Sequence, residues 1–170
     1  MMQQFKTVCF TGHRPQSIPF LWDETNDKSI ALKDRIRQEI INLIEHENAA
    51  HFISGMALGT DQICAEIVLE LKEQYPYITL ECAFPCKTQA VKWSDKCRER
   101  YFGIIYKSDK KTMVQREYTS DCMMKRNKHM VDKSDFIIAV WNGSRSGTGG
   151  TVAYAKTKNK NIVQINPNEI

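Results

Sequence analysis

No apolar run in this sequence approaches the ~18–20 residues that a membrane-crossing helix needs. No charged, apolar, small-residue leader opens it either, so the expectation is a cytoplasmic protein without a membrane partner. Glycine is sparse, eight in 170 residues, and its placement is therefore informative. Strong charge of one sign is also missing. Twenty-four basic against 20 acidic residues leave +4, whereas a dedicated DNA binder usually carries a heavier basic footprint. Hydrophobic residues at 42% and charged residues at 26% exclude a disordered chain. The length suits one domain over 1–170, and there is neither internal repeat nor linker.

Metal-binding spacings are lacking too. Cys82 and Cys86 stand four apart, and His13, His46, His51 and His129 form no paired cluster, so no metal site is expected. Cys9, Cys64, Cys82, Cys97 and Cys122 fall inside apolar strand or helix patterns and read as free thiols in a reducing compartment.

What is present is an alternation of short apolar strands with amphipathic helices. Strands are expected at 7–10, 51–53, 78–84, 104–106, 135–141 and 162–165. Helices are expected at about 28–47, from Gly59 to about 75, 89–101, 120–133 and 151–158. The alternation within 78–84 places that strand nearer a sheet edge, and the apolar run 135–141 reads as a strand covered on both faces. Ser108 to Thr112 reads as a lysine-rich loop, and Asn142 to Gly150 as a Gly/Ser loop. The fold class is α/β: one Rossmann-like domain, a mostly parallel sheet with helices on both faces.

Seven of the eight glycines fall just beyond three strand ends: Gly12; Gly55 and Gly59; Gly143, Gly147, Gly149 and Gly150. In an open α/β sheet those ends border the ligand crevice. The turn from Gly143 to Thr151 would place amides at a helix N-terminus, a natural anion site, with Thr148 and Thr151 as hydroxyl donors and Arg145 as a nearby charge. It is neither a Walker A loop nor a GxGxxG fingerprint. Thr11-Gly12-His13-Arg14 adds a guanidinium fork suited to phosphate and a histidine. In Ser54-Gly55-Met56-Ala57-Leu58-Gly59-Thr60-Asp61, Asp61 either caps a helix or accepts from a sugar hydroxyl. Asn127 interrupts the stripe of Met123, Met130 and Ser134. It either bonds to backbone or faces the crevice beside Arg126. Candidate ligand-binding residues are thus Gly12, His13, Arg14, Ser54, Gly55, Asp61, Arg126, Asn127, Gly147, Thr148, Gly149, Gly150 and Thr151.

The segments Cys9-Phe10-Thr11-Gly12-His13-Arg14-Pro15, Ser54 to Asp61, and Arg126 to Asp132 running into Ser134 to Val140 resemble, in order and spacing, the YpsA-like branch of the SLOG superfamily. Gly149-Gly150-Thr151 and Tyr154-Ala155 extend the resemblance over nearly the whole chain. It implies a Rossmann-like fold related to the DNA-processing protein DprA and to the LOG phosphoribohydrolases. It also implies glycine-rich loops that hold nucleotides or NAD-derived ligands, in some members as sensor modules. LOG hydrolases place a catalytic glutamate three residues after the threonine matching Thr151. Here that position is Tyr154, whose hydroxyl stays protonated at neutral pH.

The expected function is binding of a nucleotide or an NAD- or ADP-ribose-like ligand at the carboxyl edge of the sheet, as a sensor or regulatory module. No catalytic residue is assigned. The alternative is an N-glycosidic hydrolase or ribosyltransferase using a carboxylate such as Asp61, Glu66, Glu117, Asp121 or Asp132. A second alternative is single-stranded nucleic-acid binding through Lys107, Lys110, Lys111, Arg116, Lys125, Arg126 and Lys128, which otherwise read as solvated surface. An apolar patch on a sheet edge or helix could support a homo-oligomer.

Overall fold

The computed structural model describes residues 4–170. Six strands, β1 (Lys6–Gly12), β2 (Ala49–Ser54), β3 (Thr79–Phe84), β4 (Lys110–Met113), β5 (Phe136–Val140) and β6 (Asn161–Ile165), form one sheet in the order β4-β3-β2-β1-β5-β6. Every pairing is parallel. Parallel neighbours require crossovers, supplied by α1 (Asp27–Glu47), α2 (Thr60–Leu71), α3 (Asp95–Lys107), α4 (Cys122–Lys133) and α5 (Gly147–Thr157). The architecture is a single Rossmann-like α/β domain.

Strand alternation sorts the side chains onto two faces. Val8, Phe10, Phe52 and Leu80 meet α1 and α2 in the larger core, where the Phe10 and Phe52 rings stack with centroids 6.1 Å apart. Cys9, Ile53, Ala83 and Ile137 point the other way, against Met130 and Val131 of α4 and Ala155 of α5. Each large side chain so buried contributes about 1.5–3 kcal/mol. In α1, Leu32, Ile36, Ile40, Leu43 and Ile44 bury one stripe, and the ends are fixed locally. Asn26 accepts from the Ser29 N–H at the start, and Asn48 in the left-handed region closes the end. The six cysteines are free, five of them buried, and burial pushes the Cys9 thiol up to about 12.

Three expectations are corrected. Ile104-Ile105-Tyr106 is helical, not a strand. Ser94 caps α3, its Oγ accepting from the Cys97 N–H, and Tyr101 and Ile104, three apart, bury one helical face. The expected helix over 89–101 therefore starts late, and 87–92 forms turns. The lysine-rich 108–112 is largely strand: β4 pairs along β3 from Glu81↔Lys110 to Phe84↔Met113. Its polar composition is that of an exposed sheet edge, where lysines discourage further pairing. Third, α5 begins at Gly147, so the last residues of the expected Gly/Ser loop are a helical first turn capped by Ser146. The strand 78–84 lies second from the edge, and β5 is paired on both sides with Ile137 to Val140 wholly buried. Among the described residues no helix is long and apolar enough to cross a membrane.

Candidate functional site

β1 lies between β2 and β5: the chain winds from β1 through β2 and β3 to β4 on one side, then crosses over to β5 and β6 on the other. This is the topological switch point, and a crevice opens there beyond the carboxyl ends of the strands. A cavity of ≈ 370 Å³ occupies it, lined by residues that follow β1, β2 and β5 and by the start of α4.

After β1, the chain passes so close to α2 that a Cβ on Gly12 would lie 2.8 Å from Thr60 Oγ1 and 2.6 Å from its Cβ. Thr60 Oγ1 donates to the His13 carbonyl (2.9 Å) and fixes this approach. His13 is buried, its Nε2 within hydrogen-bond distance of both Asn142 Oδ1 (3.0 Å) and the Asn142 N–H (3.3 Å). The loop after β1 is thereby tied to the loop after β5. Arg14 is exposed on the cavity wall and, among the described residues, makes no ion pair within 4.0 Å.

The loop after β2 is held by side-chain hydrogen bonds to its backbone. Ser54 Oγ donates to the Asp61 carbonyl (2.8 Å) and Gln62 Nε2 to the Met56 carbonyl (3.2 Å). Buried Met56 has φ +62° and Gly59 φ +86°; the former is a strained position for a side chain, and such outliers persist where surroundings hold them. Asp61 sits inside the first turn of α2, one residue after Thr60, rather than capping it. Its Oδ2 accepts from the Ala57 N–H (3.2 Å). Burial pushes the Asp61 carboxyl above its ordinary 3.8, against the opposing pull of Arg126, the Ala57 N–H and Arg14. Among the described residues it is the only carboxylate on this cavity.

Arg126 is 3% exposed. Its guanidinium donates to the Gly55 carbonyl, to the Ala83 carbonyl (3.4 Å) and, through Nε, to Asn127 Oδ1 (2.8 Å). Burial lowers its pKa, and Asp61 opposes the fall. Gln89 Nε2 also donates to the Gly55 carbonyl (2.9 Å), while its Oε1 accepts from the Tyr101 hydroxyl (3.0 Å). Asn127 Nδ2 donates to Thr151 Oγ1 (3.0 Å), and Thr151 Oγ1 donates to the Gly147 carbonyl (3.0 Å). At the start of α5, Ser146 Oγ accepts from the Gly149 N–H. The amides of Gly147 and Thr148, first in the helix, have no intrahelical acceptor, and both residues line the cavity.

Of the residues singled out from sequence, Gly12, His13, Arg14, Asp61, Arg126, Asn127, Gly147 and Thr148 meet on the cavity. Ser54, Gly55 and Thr151 stand behind its wall as hydrogen-bonding braces. Gly149 and Gly150 border a separate depression with Trp141 and Arg145. Arg126 is not part of a surface basic patch, because it is buried. Tyr154 turns away: its hydroxyl donates to Asp132 (2.8 Å), and Lys128 and Lys158 lie over its ring. Glu66 is held by Arg100, Glu117 by Lys87, and Asp121 by Lys125. Gln16, Ser17, Met123 and Ser146 also line the cavity. Of these, Ser146 carried a readable signal, a serine just before the first turn of a helix.

Comparison with known proteins places this geometry in a lineage. The chain matches the YspA SLOG family over residues 8–170, and it belongs to that family. It is 36% identical over 143 residues to the uncharacterized SPbeta prophage-derived protein YoqJ of Bacillus subtilis, covering 77% of this chain and 84% of the relative. It is 30% identical over 146 residues to a UPF0398 protein of Bacillus pumilus, covering 84% and 77%. A solved structure of DNA processing protein A from Helicobacter pylori, described for its single-stranded DNA binding mode, superposes with a TM-score of 0.61 at 17% identity. That match covers 94% of this chain and 64% of the other, and it speaks for the fold.

Proposed function

We propose that this protein binds a nucleotide or nucleotide-derived ligand, of the NAD or ADP-ribose kind, in the crevice between β1, β2 and β5, and acts as a sensor or regulatory module. The observation that carries the reading is the convergence of three unlike groups on one cavity at the switch point. These are the exposed guanidinium of Arg14, the free amides at the start of α5, and the buried Asp61. The first two suit a phosphate. The third suits a sugar hydroxyl, which donates to a carboxylate.

The test is a panel of nucleotides, NAD and ADP-ribose, read by thermal shift with chromatography of the same samples. A ligand at about 100 times its Kd adds ~2.7 kcal/mol, a rise of very roughly 5–10 °C for a domain of this size. Arg14→Ala should weaken binding roughly tenfold or more, the loss of a charge-assisted hydrogen bond. Release of free base would point instead to an N-glycosidic reaction at Asp61. No shift with any compound refutes the reading.

A second reading, single-stranded nucleic-acid binding, is favoured by one observation: the structural neighbour is a protein described for that activity. Retention of labelled oligonucleotide, weakening steeply with salt, would support it.

A further inference from the structure

Beyond the phosphate-binding cavity lies a second one of ≈ 590 Å³. The two share a wall, because Met123 lines both. Their chemistry differs. The first is walled by arginines, a carboxylate, hydroxyls and helix amides; the second is bordered by Val91, Trp93, Tyr118 and buried Cys86, with Lys92 alongside. Val91 is 60% exposed and Tyr118 64%, so apolar and aromatic surface stands open to solvent directly beside an anion site.

The partition between the cavities is braced rather than loose. Gln89 lines the second cavity and donates to the Gly55 carbonyl, the same atom that Arg126 holds from the side of the first. Tyr101 fixes the other end of Gln89 and meets the Trp93 ring edge-on, centroids 5.2 Å apart. The segment carrying Tyr118 is tied down in turn. The Lys87 N–H donates to the Arg116 carbonyl (3.0 Å), and Gln115 Nε2 donates to the Glu117 carbonyl (2.7 Å) and to Thr119 Oγ1 (2.8 Å). A polar pocket and an aromatic basin thus lie side by side, with Met123 lining both and hydrogen bonds bracing the partition.

We propose that the basin of Val91, Trp93, Tyr118 and Met123 is a base subsite, receiving the planar ring system of the same small nucleotide whose phosphate and sugar occupy the first cavity. This rests on the nucleotide reading above and extends it: affinity should come from ring stacking as well as from phosphate. Flat aromatic bases stack on tyrosine and tryptophan faces with little sequence preference. Because Met123 borders both cavities, one ligand with two unlike ends is the fitting occupant.

The experiment is titration calorimetry on the full chain with the four ribonucleoside 5′-monophosphates, ADP-ribose, ribose 5-phosphate and an oligothymidylate. Wild type should bind the base-bearing small probes more tightly than ribose 5-phosphate. Tyr118→Ala should weaken the base-bearing probes roughly five- to 150-fold, the range for losing a base–aromatic stack, and leave ribose 5-phosphate unchanged. Val91→Glu, also at an exposed position, should act in the same direction. Arg14→Ala should weaken both kinds. Equal binding of nucleotides and ribose 5-phosphate, unmoved by Tyr118→Ala, overturns the base subsite while leaving the phosphate site standing. Failure of every small probe overturns the nucleotide reading and the subsite with it. Binding of the oligothymidylate alone overturns both in favour of a strand.

Discussion

The approach of Gly12 to Thr60 can be tested by moving side-chain volume across it. Gly12→Ala alone adds a methyl where Thr60 already stands, its Cβ and Oγ1 2.6–2.8 Å from the new Cβ and its Cγ2 closer still. Thr60 cannot yield easily, since it begins α2 and its hydroxyl is bonded to the His13 carbonyl. Overpacking of this kind costs about 1–3 kcal/mol. Thr60→Gly alone removes two buried side-chain carbons, about 1.6 kcal/mol, and the bond to His13, about 0.5–1.5 kcal/mol. It also adds backbone freedom, about 0.5–1 kcal/mol, for roughly 2.5–4 kcal/mol in all. The double variant puts the alanine methyl into the vacated space, so the overpacking cost disappears while the lost hydrogen bond remains. It should be about as stable as Thr60→Gly, with a favourable coupling of about 1–3 kcal/mol, equivalent to roughly 2–12 °C in Tm. Urea unfolding of the four proteins measures this, with an unchanged m-value as the check on two-state behaviour. Additivity within ~0.5 kcal/mol would refute the close-contact argument.

Two buried carboxylates should respond to pH with opposite sign. The Asp61 carboxyl is raised by burial, so its favourable share of stability is present below 3.8 and lost as pH climbs through the raised value. Asp61→Asn should therefore stabilise the fold at pH 7 and lose that advantage below about pH 4; a variant weaker at pH 7 contradicts this. Burial also raises Glu81, but hydrogen bonds from His51 and Thr112 outweigh it and hold the carboxyl below 4.5. Its contribution is present above 4.5 and lost as pH falls through the lowered value, so Glu81→Gln should destabilise at pH 7 and converge on wild type in acid. Asn26→Ala should cost about 1 kcal/mol by uncapping α1, seen as an earlier thermal transition. Nucleotide affinity should fall only gently with salt, by a slope near −1 in a double-logarithmic plot; a slope of −3 or steeper speaks for a strand.

The strand–helix alternation and the glycines beyond the strand ends made the fold class and the crevice legible. Arg14, His13 and Asp61 were visible because polar residues just beyond apolar strand ends border the crevice of an open α/β sheet. What stayed hidden has physical reasons. β4 owes its existence to pairing with β3, which local composition does not encode, and its lysines imitate a loop. The Ile104-Ile105 pair is ambiguous in a short window; only the cap at Ser94, ten residues back, settles its period. Gln89 was invisible as a brace because its value lies in reaching the Gly55 carbonyl from a turn 34 positions away. The split of the glycine-rich turn, Gly147 on one cavity and Gly149 on another depression, follows from the helix starting earlier than its glycines imply.

The distribution of charge around the crevice bears on which ligand it suits. Arg126 and Asp61 are both buried, and each moderates the shift that burial imposes on the other. The guanidinium of Arg126 is committed to the Gly55 and Ala83 carbonyls. On the proposed reading, a ligand's negative charge would be met by Arg14 and the α5 amides, roughly one cation and one helix terminus. Several surface lysines that could extend a track for a polyanion are already engaged, Lys110 with Glu81, Lys125 with Asp121, Lys128 over Tyr154. A strand neutralises many phosphates along a groove, whereas a nucleotide presents its charge at one point. On the proposed nucleotide reading, Arg14 and the start of α5 would face a compact phosphate group while Asp61 faces a sugar hydroxyl, which donates to a carboxylate.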